Sequence, residues 1–185
     1  MNLFGLFDEQ KQIIKKLEQS RSRLYRLAYS WCHNRALADD LTQEALSKGI
    51  AKAGQLRDHD ALDSWLFGIL SNCLTDHFRR HRETVDIEAV EERFLIGGAN
   101  PEDDYQQSQT VLRIRRAIAE LPIGQRQVVT LVDLEELSYA EVANILEIPV
   151  GTVMSRLCRA RQSLKELLLR EPQAVRETAN VVRIK

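Results

Sequence analysis

The side chains best equipped to recognise another molecule lie between Gly151 and Lys165. Arg156, Arg159, Arg161 and Lys165 share a stretch without an acidic residue, interleaved with Thr152, Met154, Ser155, Cys158 and Gln162. Arginine offers a rigid fork of donors, while serine and glutamine both donate and accept. Such a set can read base edges and hold phosphates, which is recognition rather than bond making. A second basic group, Arg79, Arg80 and Arg82 around His81, follows Asn72 and Asp76. Cys73, His77 and His81 are spaced by fours and could line one helical face as metal ligands. The plainer reading is that Cys73 is a small buried hydrophobe, so no metal and no cofactor are expected. No glycine-rich phosphate loop and no nucleophile–base constellation is present, which argues against an enzyme.

These residues need helices to position them. From Gln10 to about His33, Ile13, Ile14, Leu17, Leu24, Leu27, Ala28 and Trp31 recur at threes and fours, with a polar interruption at Gln19 to Arg23; the pattern suits one long helix or two consecutive ones. Asn34 is a good cap for a helix from about Arg35 to Ala53. Its apolar Leu37, Leu41, Ala45 and Ile50 leave Asp39, Asp40, Gln43 and Glu44 outside. Gly54 to Asp60, including Arg57, Asp58 and His59, has turn composition. A third helix is predicted from about Ala61 to Arg82, with Leu62, Trp65, Leu66, Ile69, Leu70, Cys73 and Phe78 inward. Trp65 belongs to its apolar stripe rather than to a stacking platform, a role Phe67 could also serve.

Glu83 to Asp104 carries eight acidic residues against the single base Arg93. With Gly97, Gly98 and Pro101 nearby and no periodicity, residues 83–108 read as a flexible acidic linker. Helical pattern returns at Val111 and stops at Pro122, which cannot continue a helix. Ser138 and Glu141 then form a capping box opening a short helix at Tyr139, and Ile148 to Gly151 break it and start another. That brief gap makes a helix-turn-helix. On a wheel Val153, Leu157, Ala160, Leu164 and Leu168 share one side, with Ser155, Arg159, Gln162 and Glu166 opposite. Recognition helices meet base edges near their N-terminal ends, so Ser155 and Arg159 are the foremost base-contact candidates. Arg161 and Lys165 lie nearer the buried side and reach phosphate by their long stems.

Composition sets the frame. The 185 residues are 44% hydrophobic and 29% charged, with only 8 glycines and 4 prolines, which favours a folded helical protein. Net charge is -1, from 26 basic and 27 acidic side chains, so nucleic-acid affinity must come from local patches. The 3 cysteines form no CxxC pair, consistent with a reducing cytoplasm. The N-terminus is not a signal peptide, and no run approaches a membrane span, so a soluble cytoplasmic protein is expected.

Two blocks resemble a known family. LPIGQRQVVTLVDLEELSYAEVANILEIPVGTVMSRLCRAR is similar to domain four of the extracytoplasmic-function group of bacterial sigma factors. RLAYSWCHNRALADDLTQEAL with DSWLFGILSNCLTDHFRR resembles domain two of the same group, and the likeness runs from about Leu24 to Leu168. It implies an all-α chain of two small helical domains: 1–82 as domain two, 83–108 as linker, 109–171 as domain four and 172–185 as a tail. It further implies that Asp39, Asp40, Gln43 and Glu44 meet core RNA polymerase. Arg57, Asp58, His59, Asn72, Asp76, Arg79 and Arg80 would read and melt the minus-ten element of promoter DNA. Thr152, Met154, Ser155, Arg156, Cys158, Arg159, Arg161, Gln162 and Lys165 would serve the minus-thirty-five element, and an anti-sigma factor would regulate the whole. Residues 1–20 and the tail depart from the pattern. A dimeric helix-turn-helix regulator and a metal enzyme using Cys73, His77 and His81 are the rival readings.

Overall fold

The computed structural model describes residues 3–56, 58, 61–82 and 109–169, so the linker at 83–108, the tail, Arg57 and His59 lie outside the described residues. Helix α1 spans Leu3–Cys32 without a break, because the polar stretch at Gln19 to Arg23 is helix surface rather than a turn. Leu17, Leu24, Leu27, Ala28 and Trp31 are its buried positions. Helix α2 is Arg35–Ala51, and Asn34 caps it: Oδ1 accepts from the Leu37 N–H at 3.0 Å. A 3-10 turn at Ala53–Gln55 leads towards α3, Leu62–Arg82, whose Leu66, Phe67, Leu70, Cys73 and Leu74 close the first core. Trp65 is only half-buried but packs against this core.

In the second half α4 is Gln109–Ala119 and α5 is Ile123–Val129, running on into a π turn at Thr130–Leu134. Pro122 ends the first of these helices and starts the next, its carbonyl accepting from the Gln125 and Arg126 amides at 2.9 and 3.0 Å. Helices α6, Tyr139–Leu146, and α7, Val150–Leu169, complete the chain. Among the described residues the secondary structure is helical throughout. No helix there is long and apolar enough to cross a membrane.

The two small helical domains pack on each other, with one apolar cluster running from Leu17 through Leu74 into Leu121, Val128, Leu131, Val142 and Leu157. A polar clamp crosses the seam. The Trp31 indole N–H donates to the Thr130 hydroxyl at 2.8 Å, and that hydroxyl donates to the Arg126 carbonyl at 2.7 Å. Arg126, only 5% exposed, donates to three carbonyls: Trp31 at 2.8 Å, Leu121 at 2.6 Å and Ala119 at 2.6 Å. Burying a guanidinium costs several kcal/mol, and these carbonyls offset that cost while satisfying helix ends.

Beside the clamp His33 ends α1 in the left-handed region, with φ of 49°. Its Nε2 is buried without a partner, and burial, seconded by the Arg126 charge, pushes its imidazole down to about 4. The folded protein therefore holds His33 neutral, whereas the unfolded chain binds a proton at the ordinary imidazole pKa of roughly 6.5. Stability is full above that value and falls as pH drops from about 6.5 towards 4.

Two outcomes check this account. Arg126→Met is expected to lower the unfolding free energy by roughly 2–4 kcal/mol in urea titrations, since it strands buried carbonyls, and Arg126→Lys should not restore it. Asparagine tolerates the left-handed region, so His33→Asn should fold and flatten the fall of the urea midpoint between pH 6.5 and 4.5. An unchanged slope would assign that fall to other groups.

Candidate nucleic-acid interface

The α6–turn–α7 unit is fixed by local chemistry. The Ser138 hydroxyl accepts from the Glu141 N–H at 3.3 Å, and the Glu141 carboxylate accepts from the Ser138 N–H at 2.8 Å. The capping box expected from the sequence is thus formed, and the Ser138 hydroxyl, donating to the Glu141 carboxylate at 2.6 Å, together with the Ser138 N–H holds that carboxyl below its ordinary pKa. Glu147 closes α6 in the left-handed conformation, φ 53°, with the Ile148 N–H donating back to Ala143 O at 3.0 Å. Glycine is usual there, so a non-glycine residue carries some strain. The Pro149 carbonyl then accepts from the Thr152 and Val153 amides at 2.8 and 3.2 Å, which starts α7.

Val153, Leu157 and Ala160 seat α7 on the core, and Leu164 and Leu168 continue that side half-buried. Met154, Ser155, Cys158, Arg159, Gln162 and Lys165 are exposed on its outer faces. Arg159 folds back along the helix, with Nε donating to Ser155 O at 3.2 Å and Nη2 to Ser155 Oγ at 3.4 Å, so these two present their polar groups together. Thr152 and Arg156 are half-buried. Arg156 leans back over Gly124, where a Cβ would meet its Nη1 at 3.0 Å. Arg161 is gripped by both oxygens of Asp133, at 2.6 and 3.2 Å, which also raises its pKa. To touch a phosphate it would exchange that partner.

Asn72 is exposed on α3, and its Nδ2 donates across the seam to Glu147 Oε1 at 3.5 Å. Arg79 and Arg80 are exposed near the end of the same helix. Asp76 Oδ1 accepts from Arg79 at 3.0 Å, and the Arg80 guanidinium reaches Asp76 O and, at 3.9 Å, Glu44. Asp58 is exposed. Asp63, at the start of α3, accepts from Ser20 at 3.0 Å and pairs with Arg23, which pairs with Glu135 of the second half as well. The Arg23 guanidinium also covers the buried Phe67 ring, 5.3 Å from its centroid, so that ring is no open stacking platform.

On α2, Asp39, Asp40 and Gln43 are exposed, Asp39 lies 3.5 Å from Arg21, and Glu44 pairs with Lys48 at 2.8 Å. Cys73 turns into the core, where burial pushes its thiol up and Lys48 Nζ sits 3.5 Å from its sulfur. The His77 and His81 rings lie tilted by 34° with centroids 4.1 Å apart. Among the described residues no three His, Cys, Asp or Glu side chains gather as a metal site.

Sequence reasoning missed Arg126, Glu135, Glu147 and Asp133. Each lies far in sequence from at least one partner, and no local pattern distinguishes it from a solvated charge. Only the positive φ at Glu147 had a precursor, the predicted turn itself.

The sequence profile of Sigma-70 region 2 matches residues 17–84, and that of Sigma-70, region 4, matches residues 112–164. The chain is 34% identical over 166 residues to the ECF RNA polymerase sigma factor SigE of Mycolicibacterium smegmatis, covering 88% of this chain and 64% of that protein. It is 35% identical over 134 residues to the ECF RNA polymerase sigma-E factor of Escherichia coli, covering 68% of this chain and 70% of that one. Among solved structures, sigma factor RpoE in complex with the anti-sigma factor NepR, from Bartonella quintana, aligns with a TM-score of 0.74 at 29% identity, over 88% of this chain and 99% of RpoE. Capped turn, outward arginines and both matched regions lead to one conclusion: the chain belongs to the ECF family of RNA polymerase sigma factors.

Proposed function

We propose that the chain is a non-enzymatic alternative sigma factor that acts in the cytoplasm, directing core RNA polymerase to promoters and helping to open them. The observation that carries this reading is the pairing of an exposed basic reading helix, α7, matched to sigma region 4 as far as Leu164, with a second nucleic-acid candidate surface on α3, inside matched region 2. Exposed Ser155, Arg159 and Gln162 suit duplex reading at the minus-thirty-five element, with Lys165 on phosphate. Asn72 suits the minus-ten element, because an amide can both donate to and accept from a base flipped out of the stack. Arg79 and Arg80 supply charge for adjacent phosphates.

Energetics fit such a role without ATP. An unstacked base held by two amide hydrogen bonds gains roughly 1–3 kcal/mol. Each base-pair step opened costs about 1.4 kcal/mol. A few captured bases therefore hold a transient opening by mass action. Asp39, Asp40, Gln43 and Glu44 form the acidic face that suits docking on basic polymerase helices. Regulation by an anti-sigma factor is supported by RpoE, which was solved bound to NepR and whose fold covers nearly this whole chain. In the arrangement described above Asn72 is already bonded to Glu147, so base capture requires that it change partners.

Run-off transcription with purified core polymerase and a promoter library tests the reading, which fails if the chain neither binds core enzyme nor confers initiation. Within that assay Arg159→Ala is expected to weaken minus-thirty-five duplex affinity by about 1–3 kcal/mol. Asn72→Ala should instead slow open-complex formation and leave duplex affinity within about twofold, less than 0.5 kcal/mol. Equal losses from both variants in both assays would remove the division of labour.

A further inference from the structure

Helix α7 carries two parallel stripes on its outer side. Thr152, Ser155, Arg159 and Gln162 make a polar one, spaced three, four and three. Gly151, Met154 and Cys158, spaced three and four, run beside it as an edge with no charge and little polarity. Met154 is 53% exposed and belongs to no part of the core, and Cys158 is exposed as well. A long apolar side chain thus stands beside Ser155 and Arg159 without packing on the core.

Gly151 heads the same edge. Glycine in a helix interior is worse than alanine by about 1 kcal/mol, and Gly151 is the second residue of α7. At Gly124 a Cβ would press on the Arg156 guanidinium, so the bare backbone has an internal cause. At Gly151 a Cβ would meet nothing within 4 Å, and its φ is not in the left-handed region. Nothing inside the protein requires the missing side chain. An approaching surface would.

We propose that Met154, with Cys158 one turn on, reads thymine methyl groups in the major groove of the minus-thirty-five element, and that Gly151 is bare so the first turn of α7 can close on the DNA. The proposal rests on α7 being the duplex reader. The chemistry is specific: in the major groove thymine alone presents a C5-methyl, and that methyl is recognised by apolar contact. Methionine's flexible, polarizable thioether moulds to such a group better than a branched side chain. Arg159, alongside, supplies the donor fork that suits guanine O6 and N7. The stripes together favour an element in which thymines neighbour a guanine.

The test uses holoenzyme and a promoter fragment that it transcribes, with minus-thirty-five thymines replaced one at a time by deoxyuridine, which removes the methyl and keeps the pairing. At least one replacement is expected to weaken binding about three- to fivefold, the scale of one buried methyl. Met154→Ser holoenzyme should discriminate less, and holoenzyme with both Met154→Ser and Cys158→Ser should bind the thymine and deoxyuridine fragments equally. Gly151→Ala should keep or raise the thermal midpoint while weakening duplex binding at least threefold. Equal binding of all fragments by the unaltered protein, or discrimination that survives the combined Met154→Ser and Cys158→Ser change, overturns methyl reading. Undiminished affinity in Gly151→Ala overturns the clearance role. If Arg159→Ala also leaves duplex binding untouched, α7 is not the reader and the underlying functional reading has failed; if Arg159→Ala weakens binding and deoxyuridine does not, only this proposal has.

Discussion

The Arg126 guanidinium occupies a place where a charge is costly and supplies what the surrounding backbone lacks. Two of its carbonyl partners, Ala119 and Leu121, lie where α4 ends and the turn begins, and the third, Trp31, lies in the last turn of α1. One side chain thus completes ends of elements from both halves. Remove the donor, and acceptors in the middle of the molecule lose their partners. The Trp31–Thr130 bond beside it fixes the same junction, and the π turn at Thr130–Leu134 follows directly. From that junction the rest is positioned: α7 stands on α5, and α6 packs against α7 and α3.

Docked in this way, the two candidate reading surfaces meet very different constraints. The face of α7 bearing Ser155 and Arg159 is turned outward and exposed. On α3, Asn72 and Asp63 are tied to the opposite half through Glu147 and through Arg23 with Glu135. These polar ties are individually weak, since partly exposed ion pairs are worth little. The apolar seam beneath them is not.

What was legible in the sequence follows from the range of the interactions. Apart from the start of α1, at Leu3 rather than Gln10, the helix limits, the Asn34 cap and the Ser138–Glu141 box depend on residues within four positions of each other, and their patterns could be read directly. The inward side of α7 was legible for the same reason, because helical periodicity converts spacing into a face. The interface between halves was not. Trp31 meets Thr130 across 99 positions, and Arg126 meets Trp31 across 95. Arg126 in particular has the composition of a surface residue, and only the surrounding carbonyls make it an interior one. Arg161 shows the converse on the candidate site: its basic character was plain, but the grip of Asp133 was not.

A shared core of this kind gives the molecule a thermal character. The attraction between the halves comes chiefly from apolar surface removed from water, and that driving force weakens on cooling. The junction would therefore loosen towards low temperature, against the usual intuition that cold tightens proteins. Separating the halves would also carry a positive heat-capacity change, as any exposure of apolar area does. How readily α3 parts from α6 is in this sense set by water as much as by the residues that face each other.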